Sequence, residues 1–337
     1  MIKEEKKLFQ IYNPYTNYTV ASDYVDLVCK CLEDAGHITE KTKVLEKDPQ
    51  NEGVVVVAAK DATEAKKCGY SPVITWVQGI SPEESYMRNK SIIRRTILSI
   101  FEKRGLFSSD MCIFVSEAMK EHFEKKYGFV PKHYYIMPCF NDEIEKDAFF
   151  SENKYANNTF VYAGGLQEWQ CFDETARLYA LVEKKCENTH FRVLTKDRET
   201  AEKIISEKGI KSFSIDCVPP EQMSDELKAC KFGFALRRDN PVNNVATPTK
   251  LSNYVSRGTI PIVTDAIHDF YARAKDNEYC ICVDLNDLEK SADEIARFCR
   301  KDISAEDVYA AFEKSFGNYY SRAYHRKELT AVLKDAL

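Results

Sequence analysis

The segment Phe160–Gln170 (FVYAGGLQEWQ) runs an apolar stretch into Gly164-Gly165, and a helical pattern begins a few residues later. Two adjacent glycines let a backbone approach a ligand closely. The helix N-terminus behind them offers free N–H groups and the positive end of its dipole. A diphosphate fits such a turn. Gln167, Trp169 and Gln170 add hydrogen-bonding groups and an aromatic platform. The competing reading is a plain strand-to-helix turn that binds nothing.

A second segment, Phe232–Gly258 (FGFALRRDNPVNNVATPTKLSNYVSRG), delivers Arg237-Arg238 to the end of an apolar run. After a polar loop, Asp239 to Thr247, Pro248 suits a first helical position and puts Thr249 and Lys250 in the first turn. A cation there opposes the helix dipole, and such local conflicts tend to mark functional sites. An anion held between Arg237, Lys250 and the helix N-terminus would resolve the conflict. Charge-assisted hydrogen bonds contribute about 1.5–3 kcal/mol each, so two or three could hold a diphosphate without metal. The alternative is a solvated Arg-Arg-Asp turn beside a surface lysine.

The elements that must position these groups follow from the pattern of the whole chain. Its 337 residues correspond to two domains at roughly 150 residues each, and a 44% hydrophobic content can bury sizeable cores. Short apolar runs alternate with amphipathic stretches, as in parallel sheets covered by helices. In the first half the expected strands are Leu8–Tyr12, Val54–Ala59, Val73–Val77, Met111–Val115 and Tyr134–Met137. Helices are expected near Thr19–Ala35, Asp61–Lys67, Glu83–Gly105 and Glu117–Tyr127, the last with Ser116 as N-cap. Asn141 to Asn158 is polar, acidic and aperiodic, and reads as a linker. The alternation resumes with Phe160–Ala163, Phe191–Thr195, Ser212–Cys217, Phe232–Leu236, Ile260–Val263 and Tyr279–Val283. From Ala305 the chain reads as helical to its end. Two doubly wound α/β units in series imply a cleft at the carboxyl ends of both sheets. The expected domains are 1–143, 144–304 and a helical return over 305–337.

Forty-eight basic against fifty-three acidic residues give a net charge of -5, which argues against a general nucleic-acid binder. The longest purely apolar run, Val54 to Ala59, is far short of the ~20 residues that span a bilayer. The charged start, Met1 to Lys7, leads into an apolar run too short for a secretory signal, so a cytoplasmic protein is expected. The twelve cysteines form no Cys-x-x-Cys pair; Cys29, Cys112, Cys217, Cys230 and Cys299 read as small core residues, and no metal-ligand spacing is visible.

Arg88, Lys90, Arg94, Arg95, Lys103 and Arg104 meet only Glu102 as an opposing charge, with Ile92, Ile93, Ile97, Leu98, Ile100 and Phe101 interleaved. One reading rests the basic side on an anionic membrane surface. The other, favoured for the apolar residues, packs them on the sheet and leaves the charges solvated.

The two glycine and arginine segments together resemble the donor-binding half of family 4 (group 1) GT-B glycosyltransferases, in the branch that builds bacterial capsular and other cell-surface polysaccharides. Val73–Ser85 (VITWVQGISPEES), Met111–Gly128 (MCIFVSEAMKEHFEKKYG), Ile136–Asp142 (IMPCFND) and the C-terminal helices are similar too. The resemblance implies an α/β GT-B fold, two Rossmann-like doubly wound domains facing a central cleft. It implies a retaining, metal-independent hexosyltransferase that needs no cofactor. The donor would be a nucleotide-diphosphate sugar, a UDP-sugar by family frequency, the acceptor a cell-surface glycan or lipid-linked molecule, and the protein itself cytoplasmic or peripheral at the inner face of the plasma membrane. By position, Gly164, Gly165, Gln167, Trp169, Thr195, Arg237, Thr249, Lys250 and Asn253 would bind the donor. Arg237 and Lys250 would neutralise the leaving group, an electrostatic role preorganised for the transition state. Gln78, Gly79 and Glu83 fall on the acceptor side, with Gln78 nearest the chemistry.

Several positions depart from the family. Its ribose-binding glutamate is Asn253 here, and its other glutamate falls on Val245, leaving Asp239, Asn243 or Asn244 to hold a donor-sugar hydroxyl. Gln78 stands where many relatives carry histidine; an amide orients a hydroxyl but is no base at neutral pH. Asn13-Pro14-Tyr15 replaces a glycine-rich loop after the first strand. Two alternatives therefore stay open, a catalytically silent GT-B subunit that binds a partner transferase and a nucleotide-sugar epimerase. A dehydrogenase is disfavoured, because the Gly-Gly turn lacks the Gly-x-Gly-x-x-Gly spacing and its acidic ribose partner.

Overall fold

The computed structural model describes residues 6–14 and 19–337, so Tyr15 and the first five residues lie outside the described part. Packing divides the chain into two units, one of Met1–Pro138 with Arg322–Leu337, the other of Cys139–Ser321.

The first unit holds β1 (Leu8–Tyr12), β2 (Ile38–Thr42), β3 (Gly53–Val56), β4 (Val73–Val77), β5 (Met111–Phe114) and β6 (His133–Ile136). Their order is β2-β1-β3-β4-β5-β6, every pair parallel. β3, β4 and β5 are buried along their whole length, which is why each reads as an unbroken apolar run. β2 (ITEKT) is an exposed edge strand, and its polar sequence carries no strand signal.

Two helices, Ser81–Asn89 and Ile92–Ser108, replace the single one expected over Glu83–Gly105. Lys90 ends the first in a left-handed conformation (φ 53°), and the Ser91 hydroxyl starts the second by accepting from Arg94 N at 3.3 Å. Gly105 lets the second helix press on the helix Ala59–Cys68, since a Cβ there would collide with the Ala59 carbonyl. Ser116 caps the helix Glu117–Tyr127 as expected, with Met119 N donating to its hydroxyl at 3.0 Å. The helix Arg322–Ala336 completes the unit, burying His325, Leu329 and Leu333. His325 Nδ1 lies 2.8 Å from the Tyr135 hydroxyl, and Arg326 grips Asp34 at 2.5 and 2.8 Å.

The second unit holds β7 (Asn158–Ala163), β8 (Thr189–Leu194), β9 (Phe213–Asp216), β10 (Phe232–Ala235), β11 (Ile260–Val263) and β12 (Ile281–Cys282). The order is β12-β11-β10-β7-β8-β9, again all parallel. Aromatic rings fill its centre: Phe160 stacks 4.7 Å from Phe232, and Tyr179 stacks 4.6 Å from Phe191. β7 lies between β8 and β10, so successive connections leave it in opposite directions and a crevice opens at its carboxyl end.

The divisions differ from those expected at 143 and 304. Asn141 to Asn158 is no bare linker: it holds the helical turn Lys146–Phe150, whose Phe149 is buried against Phe312, and Arg257 ties down Asp142 at 3.3 Å and Glu145 at 2.6 Å. The helix Ala305–Phe316 therefore belongs to the second unit, and only the chain from Arg322 returns to the first. Cys29, Cys112 and Cys230 are buried, whereas Cys299 is half-buried and Cys217 is exposed, because Cys217 leaves the edge strand β9. Among the described residues no helix is long and apolar enough to cross a membrane.

Candidate functional site

β7 ends at Ala163, and Gly164 (φ 139°) turns the chain across the crevice, its N–H donating to the Leu194 carbonyl at 2.9 Å. A Cβ on Gly164 would lie 3.3 Å from the Lys250 ammonium, and one on Gly165 would collide with the Gln167 amide. The turn presents bare backbone. Two tyrosines stiffen it. The Tyr162 hydroxyl donates to the Gly165 carbonyl at 2.6 Å, and the Tyr254 hydroxyl accepts from Ala163 N at 3.1 Å. The chain does not run straight from the glycines into a long helix; the short turn Glu168–Gln170 intervenes before Phe172–Lys185 and brings in Gln170.

Arg237 follows β10 and is 4% exposed. Its N–H donates to Thr264 Oγ1 at 3.2 Å, and that hydroxyl donates to the Arg237 carbonyl at 2.7 Å. Nη1 donates to the Leu236 carbonyl at 2.8 Å and Nη2 to Gln170 Oε1 at 2.7 Å. Lys250 Nζ reaches the same amide oxygen at 3.3 Å and stands 3.9 Å from the centre of the Tyr162 ring. Two cations thus share one neutral acceptor, and among the described residues neither has a carboxylate partner. Burial lowers the pKa of Arg237, while burial and then the Arg237 charge push Lys250 well below the ordinary lysine range. An anion would relieve both costs.

Pro248 occupies the N-cap of the helix Thr249–Ser256 rather than its first turn, and no side chain caps that end. Between these elements lies a cavity of about 360 Å³, lined by Gly164, Gln170, Arg237, Thr249, Lys250 and Asn253 over Tyr254, Met223 and Leu227. Gly165 follows in the same turn. Besides Gly165, three expected donor residues do not line this cavity: Thr195 is buried with its Oγ1 accepting from Asp197 N at 3.2 Å, Gln167 is exposed, and Trp169 is half-buried. Arg238 is exposed and paired with Glu174. Of the loop residues offered as substitutes, Asn243 donates to the Arg238 carbonyl at 2.8 Å and Asn244 to Asp239 Oδ1 at 2.9 Å, the Asn244 Oδ1 is buried without a partner among the described residues, and Val245 is buried. Tyr162 and Gln170 touch the two cations as well, and the sequence offers only Gln170 of the two, as a hydrogen-bonding group. Strand alternation could have flagged Tyr162, which precedes Gly164 by two; nothing in the sequence marks Gln170 as the shared acceptor.

In the first unit a cavity of about 500 Å³ opens beyond β1, β3 and β4, lined by Asn13, Trp76, Gln78, Gly79, Glu84 and, from the helix Ile92–Ser108, Leu98, Phe101 and Glu102. Gln78 donates to the Val57 carbonyl at 3.3 Å. Gly79 packs on Glu84, whose Oε1 accepts from Ile80 N at 3.2 Å. The Trp76 indole N–H is buried without a partner. Gln78 and Gly79 therefore border this cavity, while Glu83 does not. Glu83 is buried in an ion cluster, 2.8 Å from Lys126, 3.6 Å from Arg95 and 4.0 Å from His122. Lys126 also pairs with Glu102 at 3.1 Å, and the Tyr127 hydroxyl donates to Glu102 at 2.8 Å. Burial pushes Glu102 up to about 7 against the pull of Lys126 and Tyr127.

No family model and no curated protein matches the chain by sequence. Solved structures match it by fold. A glycosyltransferase from Rickettsia africae superposes with a TM-score of 0.69 at 12% identity, covering 99% of each chain. A structure described as trehalose-6-phosphate from E. coli bound with UDP-2-fluoro glucose gives 0.64 at 9% identity, over 98% of this chain and 99% of the other. S. aureus TarM, solved with fondaparinux, alpha-GlcNAc-glycerol and UDP, gives 0.62 at 10% identity over 87% of this chain. The chain spans only 56% of that TarM structure. At these identities the likeness is one of fold, and the chain has the α/β GT-B fold of two Rossmann-like doubly wound units.

Proposed function

We propose that the chain is a hexosyltransferase that takes a sugar from a nucleotide diphosphate, a UDP-sugar, and passes it to a glycan or lipid-linked acceptor. The observation that carries this reading is the pair Arg237 and Lys250, two cations in one cavity beside a bare glycine turn with only the Gln170 oxygen between them. The names of the similar structures lend support: TarM and the pneumococcal transferase GtfA were solved with UDP, and the E. coli structure with a UDP-sugar analogue.

In this reading the Gly164 turn and the uncapped start of Thr249–Ser256 receive the diphosphate, and Asn253 meets the ribose. As the bond from the anomeric carbon to the β-phosphate oxygen breaks, its electron pair moves onto the phosphate, and Arg237 and Lys250 stabilise that charge. The acceptor oxygen bonds to the same face of the sugar, and its proton passes to the departing phosphate, giving retention without a protein base. Gln78 orients the acceptor hydroxyl. Arg237→Ala and Lys250→Ala should each lower turnover about a hundredfold or more while leaving the fold intact. Wild-type turnover in either variant would remove the diphosphate site.

The buried Val245, with the NH2 groups of Asn243 and Asn244 engaged by the Arg238 carbonyl and Asp239, favours one other reading, a silent GT-B subunit that binds nucleotide without transferring sugar. Tight binding of UDP with no turnover of any UDP-sugar, alone or with a partner enzyme's acceptor, would select it.

A further inference from the structure

The helix Ile92–Ser108 is turned inside out. At 3.6 residues per turn, Ile92, Ile93, Ile97, Ile100, Phe101 and Phe107 fall on one half of its circumference, and Glu102, Gly105 and Leu106 on the other. The sequence suggests that the apolar half packs inward. Instead it faces water: Ile92 is 69% exposed and Ile93 76%, whereas Glu102 is buried beneath Lys126 and Tyr127. Of the thirteen exposed large hydrophobic residues among those described, six lie on this helix. Gly105 fixes the orientation, because only the face bearing it can approach Ala59 so closely.

We infer that this face lies on an anionic lipid bilayer and holds the first-unit cavity at the headgroup plane. Arg88, Lys90, Arg94, Lys103 and Arg104 are exposed on or just before the helix, and its one acid is buried. Exposed apolar residues with interleaved basic ones match a surface that is oily below and negative above. A protein partner fits less well. Arg104 falls between Ile93 and Ile97 around the helix, so a partner would have to bury it, while at a bilayer its long stem lets the guanidinium rise to the headgroups. The helix is neither long nor apolar enough to cross, so it lies in the interface. Phe101 belongs to both features: it is half-exposed on the apolar face and lines the cavity with Leu98, Glu102 and Gln78. An acceptor hydroxyl carried on a lipid headgroup would enter that cavity without leaving the membrane. The docking rests on this helix alone and not on the donor site.

Co-sedimentation of the full chain with unilamellar vesicles tests it. The wild type should bind vesicles of phosphatidylglycerol and phosphatidylcholine, bind pure phosphatidylcholine far less, and release as salt is raised. An Ile93→Ser, Ile97→Ser double variant and an Arg94→Gln, Arg104→Gln double variant should each bind roughly tenfold more weakly at unchanged melting temperature, because the replaced side chains are exposed. Arg237→Ala should bind vesicles like the wild type, which separates this inference from the donor reading. No binding to the anionic vesicles, or full binding by both double variants, would overturn it. So would a dimer in sedimentation velocity that the isoleucine variant abolishes, since the face would then belong to a second copy.

Discussion

The Gln170 amide oxygen sits 2.7 Å from Nη2 of Arg237 and holds the guanidinium at the carboxyl end of β10. Because Lys250 Nζ shares that oxygen at 3.3 Å, a carboxylate in its place would stand between two cations. Gln170→Glu should therefore raise the melting temperature of the ligand-free protein and weaken UDP binding by about tenfold or more, the new charge competing with the diphosphate. Thermal unfolding and titration calorimetry read the two effects separately. A variant that binds UDP more tightly would show that no anion enters there.

Lys250 supplies a pH dependence. Burial and the Arg237 charge lower its pKa in the folded protein below the usual 10.5. Between that lowered value and 10.5 the unfolded chain holds a proton that the folded chain has lost, so ligand-free stability rises with pH across the window. A bound diphosphate favours the ammonium and closes the window. UDP affinity should then fall as pH rises through the lowered pKa, with proton uptake on binding, and Lys250→Met should abolish both trends. Calorimetry in buffers of different ionisation enthalpy measures the uptake.

Glu102 titrates with the opposite sign. Burial raises it from 4.5 to about 7, with Lys126 shared between it and Glu83, and with Tyr127, His122 and Arg95 around the cluster. The protonated form stabilises the fold fully below 4.5, and that contribution is lost as pH rises to about 7. Glu102→Gln should flatten the melting temperature over this range. An unchanged slope would place the titration elsewhere.

Arg238 provides the contrast to its neighbour. It is exposed and held by Glu174, with Glu168 at 3.9 Å. Arg238→Ala should leave UDP affinity within about threefold of the wild type and cost no more than about 1 kcal/mol of stability, the usual scale of a surface ion pair. Equilibrium unfolding and the same UDP titration check both numbers.

The two sheets were legible because the inner strands β3, β4, β5, β10 and β11 are buried along their whole length and read as apolar runs; β2, an edge strand with polar side chains, was not. Gly164, Arg237 and Lys250 could be brought together from sequence because each stands where a strand ends or a helix starts. Glu83 was misplaced for a physical reason. Its neighbour Glu84 accepts from Ile80 N at the start of the helix, while Glu83 turns to Lys126, more than forty residues away in sequence. The helix Ile92–Ser108 shows a related limit: periodicity reveals that a helix has an apolar face, but only the contact of Gly105 with Ala59 says which face is inside.

The helix Arg322–Ala336 has a consequence for how the chain is made. Tyr135, Asp34 and Cys31 all bond to residues of this helix, so the first unit, whose other elements all precede Cys139, cannot finish its core until the residues after Ser321 have been made. The second unit has all of its residues by Ser321. Completion of the units is therefore reversed relative to the order in which they begin, and a chain released after Ser321 would carry every residue of the second unit joined to a first unit without its closing helix.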